Sequence, residues 1–357
     1  MRFVLLAAVA AGSLSAQIID HTCTDLESIP GEWIDLVQSS IDSHYAHTSH
    51  GSQLTWGLHF VEEGNPFYAF IVGNGYLPSS PTAYCVFDGQ EGEGYVTPDL
   101  YWETEDGLQL TRDVLDNNPS ISTSMWCWCC QCDYYSQEQV QGYLDAMSLL
   151  EGEYPEVTFV YFTGNAQSEG SSGYNRHMRN QQIRAFCQAN DRVLFDFEDL
   201  DSWWFNPSTS QWERNTYSYN GQEIPSEHPE FSGDEYGHTT AESCEQKGRA
   251  WWFMTALQAG WPGMGVSGPH VEQGCASLAV RPNPVRGAAV ISLELPGAAP
   301  VRIRVLDLTG RVVYETGEFT LDGGLHEFTV PAAVNGVFLV AAEAGTGRLT
   351  ARFAAVD

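Results

Sequence analysis

The chain carries a series of short, nearly continuous apolar runs separated by helix-like stretches, and this alternation limits its fold more than any other feature. The runs are "SHYAH" (43–47), "FYAFIVG" (67–73), "ISTSMWCWC" (121–129), "VTFVYFTG" (157–164) and "RVLFDF" (192–197). Strands apolar along their whole length, rather than at every second residue, are strands covered on both faces, and that is the pattern of a parallel sheet. Between the last three lie helical segments. "SQEQVQGYLDAMSLLEGEY" opens with Ser136 three residues before Gln139, the spacing of a capping box. "YNRHMRNQQIRAFCQAN" places Met178, Ile183 and Phe186 on roughly one face. A parallel sheet gathers its ligands beyond the carboxyl ends of its strands. "HTSHG", "CCQCD" and "TGNAQSEG" all follow strands, and "GDEYGH" precedes a final helix, so four loops are expected to meet along one rim.

The texture changes near "WPGMGVSGPHVEQGC" (261–275), rich in Gly and Pro without apolar periodicity. Beyond it, alternation in "VRIRVLDL" and "GVFLVAAEA" predicts strands only. Turn signals fall at Pro296–Ala299, Thr309–Gly310, Gly323–Gly324 and Asn335–Gly336. About seven short strands in such a segment predict a β-sandwich. The expected organisation is therefore a leader over 1–16, an α/β domain over 17–261, a linker over 262–276 and a β-sandwich over 277–357. The leader assignment rests on Arg2 followed by the apolar run Phe3–Ala11 and small residues to Ala16, the pattern of a secretory signal peptide. No later segment is apolar enough to span a bilayer.

With 46 acidic against 16 basic residues and a formal net charge of −30, the chain repels polyanions, which excludes nucleic acid and anionic membrane surfaces as natural partners. Nine cysteines in an exported chain point to disulfides or buried thiols, with an odd thiol left over. The cluster "CWCCQCD" lacks the paired spacing of a zinc site, so no metal and no organic cofactor is expected. His44, His47 and His50 could serve a metal-dependent hydrolase, but their i, i+3, i+6 spacing on a strand-to-loop segment does not bring all three together.

The second half resembles the C-terminal sorting domain of the type IX secretion system, an immunoglobulin-like module. The likeness lies in "RPNP" (281–284), "VRIRVLDLTGRVVYE" (301–315), "GGLHEFTV" (323–330) and "NGVFLV" (335–340). It implies export by the type IX machinery, then release or anchoring at the cell surface. The first half is similar to SGNH/GDSL-type hydrolases, whose flavodoxin-like parallel sheet has helices on both faces. The motifs are "HTSHGSQ" (47–53), "SMWCWCCQ" (124–131), "YPEVTFVYFTGN" (154–165), "NQQIRAFCQANDRVLFDFEDLDS" (180–202) and "GHTTAESCEQKGRAWWFMTALQAGW" (237–261).

Carried over by position, this resemblance implies Ser49 as nucleophile and His238 as general base, oriented by Asp234 or Glu235. Gly51, Gln131 and Asn165 would serve the oxyanion, and His50 the substrate. The GDS triplet is absent, and the block expected on the third strand reads "CCQCD". The implied activity is hydrolysis of an ester, an acyl group on a carbohydrate for example, through an acyl-serine intermediate. The alternative is a non-catalytic relative that binds glycan or a surface component. The aromatic stretch 203–232 reads as a substrate-facing insertion or a solvent-exposed spacer.

Overall fold

The computed structural model describes residues 16–90, 96–97, 99–263, 277–281, 285–295, 298–307, 311–317, 319–322, 324–331, 336–344 and 347–355. The leader, except Ala16, lies outside the described residues, as do most of the linker and parts of the turns at 296–299, 309–310, 323–324 and 335–336. The chain divides into two compact units, Met1–Pro262 and Gly263–Asp357.

In the first unit the order is β1 (Gln17–Ile19), α1 (Gly31–Ser40), β2 (Asp42–Ala46), α2 (Ser52–Gly64), β3 (Phe70–Asn74), β4 (Tyr84–Asp88), α3 (Asp99–Trp102), α4 (Glu105–Asn117), β5 (Ile121–Trp126), α5 (Gln137–Glu153), β6 (Thr158–Phe162), α6 (Gly170–Ala189), β7 (Val193–Phe195) and α7 (Phe197–Ser202), followed by the hairpins β8 (Trp203–Asn206)–β9 (Gln211–Arg214) and β10 (Thr216–Tyr219)–β11 (Gln222–Pro225), and finally α8 (Ala241–Gln258). One seven-stranded sheet runs β1-β7-β6-β5-β2-β4-β3, and every pairing in it is parallel. From β2 the chain goes to one edge for β3 and β4, then crosses back to lay β5, β6 and β7 on the other side. The strand order therefore reverses between β2 and β5, and a ligand crevice is expected at their carboxyl ends.

Consecutive residues such as Tyr45 and Ala46, or Tyr161 and Phe162, are all fully buried. Since neighbours in a strand point to opposite faces, both faces of the sheet are covered. The helices form two sets by mutual contact, α1, α2, α7 and α8 in one and α3, α4, α5 and α6 in the other. Within the first set α2 and α8 cross backbone to backbone. A Cβ on Gly57 would lie 2.0 Å from the Cys244 carbonyl oxygen, and one on Gly248 would lie 2.2 Å from the Gly57 carbonyl carbon.

The capping box at Ser136 and Gln139 is present and starts α5. On α6 the buried stripe differs from the apolar one expected. Met178 is exposed, while Arg176, Asn180, Ile183 and Cys187, spaced 4, 3 and 4, face inward. Asn180 accepts from Gly164 N (2.7 Å) and donates to Gly164 O (3.2 Å), and Arg176 donates to Ser168 O (2.6 Å) and Pro225 O (3.0 Å). The polar stripe is needed because the loop after β6 runs inside the protein, where its backbone groups must find partners.

The second unit is antiparallel throughout its named strands. A three-stranded sheet pairs β12 (Ser277–Arg281), β13 (Ala288–Leu295) and β17 (Gly324–Pro331). A five-stranded sheet contains β15 (Val312–Glu315), β14 (Ala299–Asp307), β18 (Gly336–Ala344) and β19 (Gly347–Ala355), with β16 (Phe319–Leu321) also on β14. Ile291, Leu293 and Val330 from the first share one core with Val301, Ile303, Val340 and Phe353 from the second. The first unit is thus a parallel α/β sheet with helices, and the second a pair of antiparallel sheets.

Candidate active site

Register brings the loops together. Ala46 on β2 lies opposite Trp126 on β5, and Cys127 N donates to Ala46 O (3.0 Å), so the segments 47–51 and 127–131 leave the sheet side by side. The first is held by Tyr45, whose hydroxyl donates to Gly51 O (2.8 Å), and by His47, whose Nε2 lies 2.9 Å from Asp88 Oδ1. A Cβ on Gly51 would fall 2.3 Å from His47 Cβ, so glycine is required there by packing. The second is held by Trp128, which donates to Phe162 O (2.9 Å), and by Gln131, whose Oε1 accepts from Cys129 N (3.0 Å).

Where the two loops meet, His50 Nδ1 is 3.1 Å from Cys129 Sγ, and His50 Nε2 donates to Gln167 Oε1 at 2.8 Å. Gln167 is fixed in turn. Its backbone N donates to Asn165 Oδ1 (3.1 Å), and its Nε2 donates to Glu227 Oε1 (3.0 Å) and to the His238 carbonyl. Because the Gln167 amide nitrogen is committed to Glu227, its oxygen is the atom left to face His50. Thiol, imidazole and amide therefore form a line in which the base is hydrogen-bonded to its orienter and set on its nucleophile, the arrangement expected of an activated nucleophile.

The electrostatics agree with that geometry. The Cys130 thiol hydrogen bond lowers the Cys129 pKa, burial opposes it, and the hydrogen bond and charge of His50, with Thr48, add to the lowering. Burial disfavours the charged His50 ring, but the hydrogen bond and charge of Cys129, then Gln167, outweigh it and raise the ring above its ordinary value. Both shifts favour a thiolate on Cys129 beside a protonated His50 ring. Burial, then the charge of Asp201, raises Glu227 to about 7. The buried Lys247–Asp201 pair, 2.7 Å apart, underlies the loop after β6, with Asp201 Oδ2 accepting from Ala166 N (2.8 Å).

All four expected loops meet here, with their residues in particular places. Ser49 Oγ is 3.7 Å from Cys129 Sγ and makes no hydrogen bond to His238. The exposed His238 bonds Asp234 Oδ1 through Nδ1 (2.9 Å), and its ring lies 4.9 Å from that of His50. Glu235 does not orient His238; its Oε2 accepts from Asp234 N at 3.1 Å, since it folds back on its own turn. Gln131 and Asn165 serve the backbone of Cys129: Asn165 Nδ2 donates to Cys129 O at 2.9 Å, so neither amide points into open space. His44 bonds Ser124 Oγ and Gly89 O, and burial lowers it to about 4. His44 and His47 thus point away from the cluster. The eight described cysteines are free thiols, six of them buried, so of the two expected alternatives, disulfides or buried thiols, the described residues show the buried thiols. The Cys129 and Cys130 sulfurs stand 3.9 Å apart, against about 2.05 Å for a disulfide bond.

Sequence reasoning passed over Cys129, Gln167 and Glu227. The available signal was position: Cys129 follows a strand paired with the one that carries His50, and such strand ends are where reactive groups gather. A separate cavity of about 580 Å³ is lined by Thr24, Asp25, Phe205, Trp212, Glu242 and Arg249, among others, and none of its lining residues belongs to the Cys129 cluster.

Residues 279–355 match the family model described as the secretion system C-terminal sorting domain. The protein is exported by the type IX secretion system to the cell surface or the extracellular space. No helix of the described residues is long and apolar enough to cross a membrane. No curated protein matches the chain. Among solved structures, latent PorU from Porphyromonas gingivalis matches at 18% identity over 24% of this chain and 10% of its own, with a TM-score of 0.20. A β-glucuronidase from Faecalibacterium prausnitzii matches at 21% identity over 23% and 14%, with a TM-score of 0.18. An endo-β-1,4-mannanase double mutant from Cellulomonas fimi matches at 12% identity over 72% and 51%, with a TM-score of 0.20. The chain thus spans a small part of the first two and about half of the third.

Proposed function

We propose that the first unit is an exported hydrolase of acyl esters that works through a thiol. The observation that carries this reading is the chain of contacts from Cys129 through His50 to Gln167, at 3.1 and 2.8 Å. The Cys129 thiolate attacks the acyl carbon, the imidazolium of His50 gives its Nδ1 proton to the departing alkoxide, and the C–O bond breaks to leave a thioester. Water then attacks the thioester while neutral His50 takes its proton, and the thiolate leaves. Gln167 holds the ring in place throughout, the role an amide plays in Cys-His-Asn sites. Ser49 Oγ, next to the sulfur, is placed to donate to the oxyanion, a task worth about 3 to 4 kcal/mol.

This reading keeps the SGNH-type expectation for the loops that make the site and replaces its nucleophile. An immunoglobulin-like sorting domain at the C-terminus would deliver such an enzyme outside the cell, where acylated carbohydrates are substrates of the right class.

The test is turnover of chromogenic acyl esters and acetylated oligosaccharides by the wild type and by Cys129→Ala, His50→Ala and Ser49→Ala, with acyl-enzyme trapped and mapped by mass. Acylation at Cys129, and losses of at least about a hundredfold in Cys129→Ala and His50→Ala, are expected. Acylation at Ser49 that survives in Cys129→Ala would replace this mechanism with the serine one.

A further inference from the structure

We infer that His50, Cys129 and Cys130 form a binding site for one thiophilic divalent cation of the zinc type. His50 Nδ1, Cys129 Sγ and Cys130 Sγ all lie within 4.8 Å of one another. A tetrahedral zinc with Zn–S of about 2.3 Å and Zn–N of about 2.0 Å requires its ligand atoms to be about 3.8 Å apart for S···S and about 3.5 Å for N···S. The observed separations are 3.9 Å between the sulfurs and 3.1 Å between His50 Nδ1 and Cys129 Sγ. These two separations thus stand within a few tenths of an ångström of the spacing that a bound ion imposes, and the third, His50 Nδ1 to Cys130 Sγ, lies within 4.8 Å.

The surroundings are those of a metal site. A ligating imidazole commonly donates its second N–H to a fixed acceptor, and His50 donates Nε2–H to Gln167 Oε1. The backbone of Cys129 is fixed from both sides, its N–H by Gln131 and its C=O by Asn165. Access is open because Cys130 is exposed and Cys129 half-buried. Three protein ligands leave a fourth position for water. Both cysteines bind as thiolates and His50 through an unprotonated Nδ1, so any protons these atoms carry leave as the cation binds.

The site was not legible as a zinc motif, because two of its ligands are adjacent in sequence and the third is 79 residues from Cys129. Its effect on catalysis rests on the function proposed above: a cation on the Cys129 thiolate occupies the nucleophile's lone pair and withholds His50 from the leaving group. Binding itself rests only on the ligand geometry.

The experiment is a cadmium titration of the full chain kept reduced, read by sulfur-to-cadmium charge-transfer absorption and by equilibrium dialysis. One ion per chain with the absorption of two thiolates is expected. Cys130→Ser, at an exposed position that leaves the fold intact, should halve the band and weaken binding at least tenfold. His50→Ala should weaken it at least tenfold while keeping the two-thiolate band. No binding near one equivalent, or a band and affinity unchanged in Cys130→Ser, would overturn the site whatever the ester assays show. Tight cadmium binding in a protein without ester turnover would support the site and remove the proposed function.

Discussion

Replacing Gly248 by alanine sets two effects of opposite sign against each other at the crossing that carries the active-site loops. Alanine in a helix interior is favoured over glycine by about 1 kcal/mol. Here the added methyl would lie 2.2 Å from Gly57 C, 2.3 Å from its oxygen and 2.7 Å from Leu58 N. These are backbone atoms that cannot turn aside, and ordinary contact begins near 3.4 Å. The two helices must therefore part by about 1 Å, and overpacking of this kind costs about 3 kcal/mol at the upper end of its usual range. The net loss is about 2 kcal/mol, a fall in Tm of about 4 to 8 °C for a unit of this size. All 11 tryptophans lie at or before Trp261, so tryptophan fluorescence during heating reports the first unit alone. Gly152→Ala on α5 is the control. A Cβ there meets nothing within 4 Å, so propensity acts unopposed and Tm should rise by about 2 to 4 °C. A Gly248→Ala protein as stable as the control would refute the close backbone contact between α2 and α8.

Three further outcomes follow from the site and its supports. Alkylation of Cys129 by iodoacetamide, followed by peptide mass, should persist at pH 5, where an unperturbed thiol with a pKa of about 8.5 is slowed roughly a thousandfold; in His50→Ala, where only the Cys130 and Thr48 hydrogen bonds still lower the thiol, the rate at pH 5 should fall below that of the wild type while staying above that of an ordinary thiol. Glu227 is raised to about 7 by burial and then by the Asp201 charge, so below about pH 4 both folded and unfolded states hold its proton, and as pH rises to 7 the unfolded state releases it first and stability is lost. Glu227→Gln, which keeps an acceptor for Gln167 and Thr239, should therefore raise Tm at pH 8 and leave it unchanged at pH 4. Lys247→Met leaves Asp201 charged and unpaired in a fully buried site, which should cost about 3 to 5 kcal/mol in chemical denaturation.

What the sequence discloses and what it hides divide along a physical line. Strands covered on both faces must be apolar throughout, so "VTFVYFTG" and "ISTSMWC" are visible as β6 and β5 from local composition alone. β4, "YCVFD", has the same character but ends in Asp88, which lies beside His47, and that polar end conceals it. The helix α6 misleads for a related reason. Its inward stripe contains Arg176 and Asn180 because it supports an internal loop rather than an apolar sheet.

The reactive pair is harder still to see. Cys129 and His50 are 79 residues apart, and what joins them is the parallel register of Ala46 on Trp126. No local pattern encodes that register, whereas export alone is enough to suggest that a cysteine is oxidised. The same reasoning explains why Ser49 attracts attention first: it occupies the strand end where a nucleophile belongs. The group that stands on an imidazole belongs to the neighbouring strand's loop. In a parallel sheet adjacent strand ends are interchangeable positions around one crevice, so a nucleophile can reside on either loop while the base stays within reach of both.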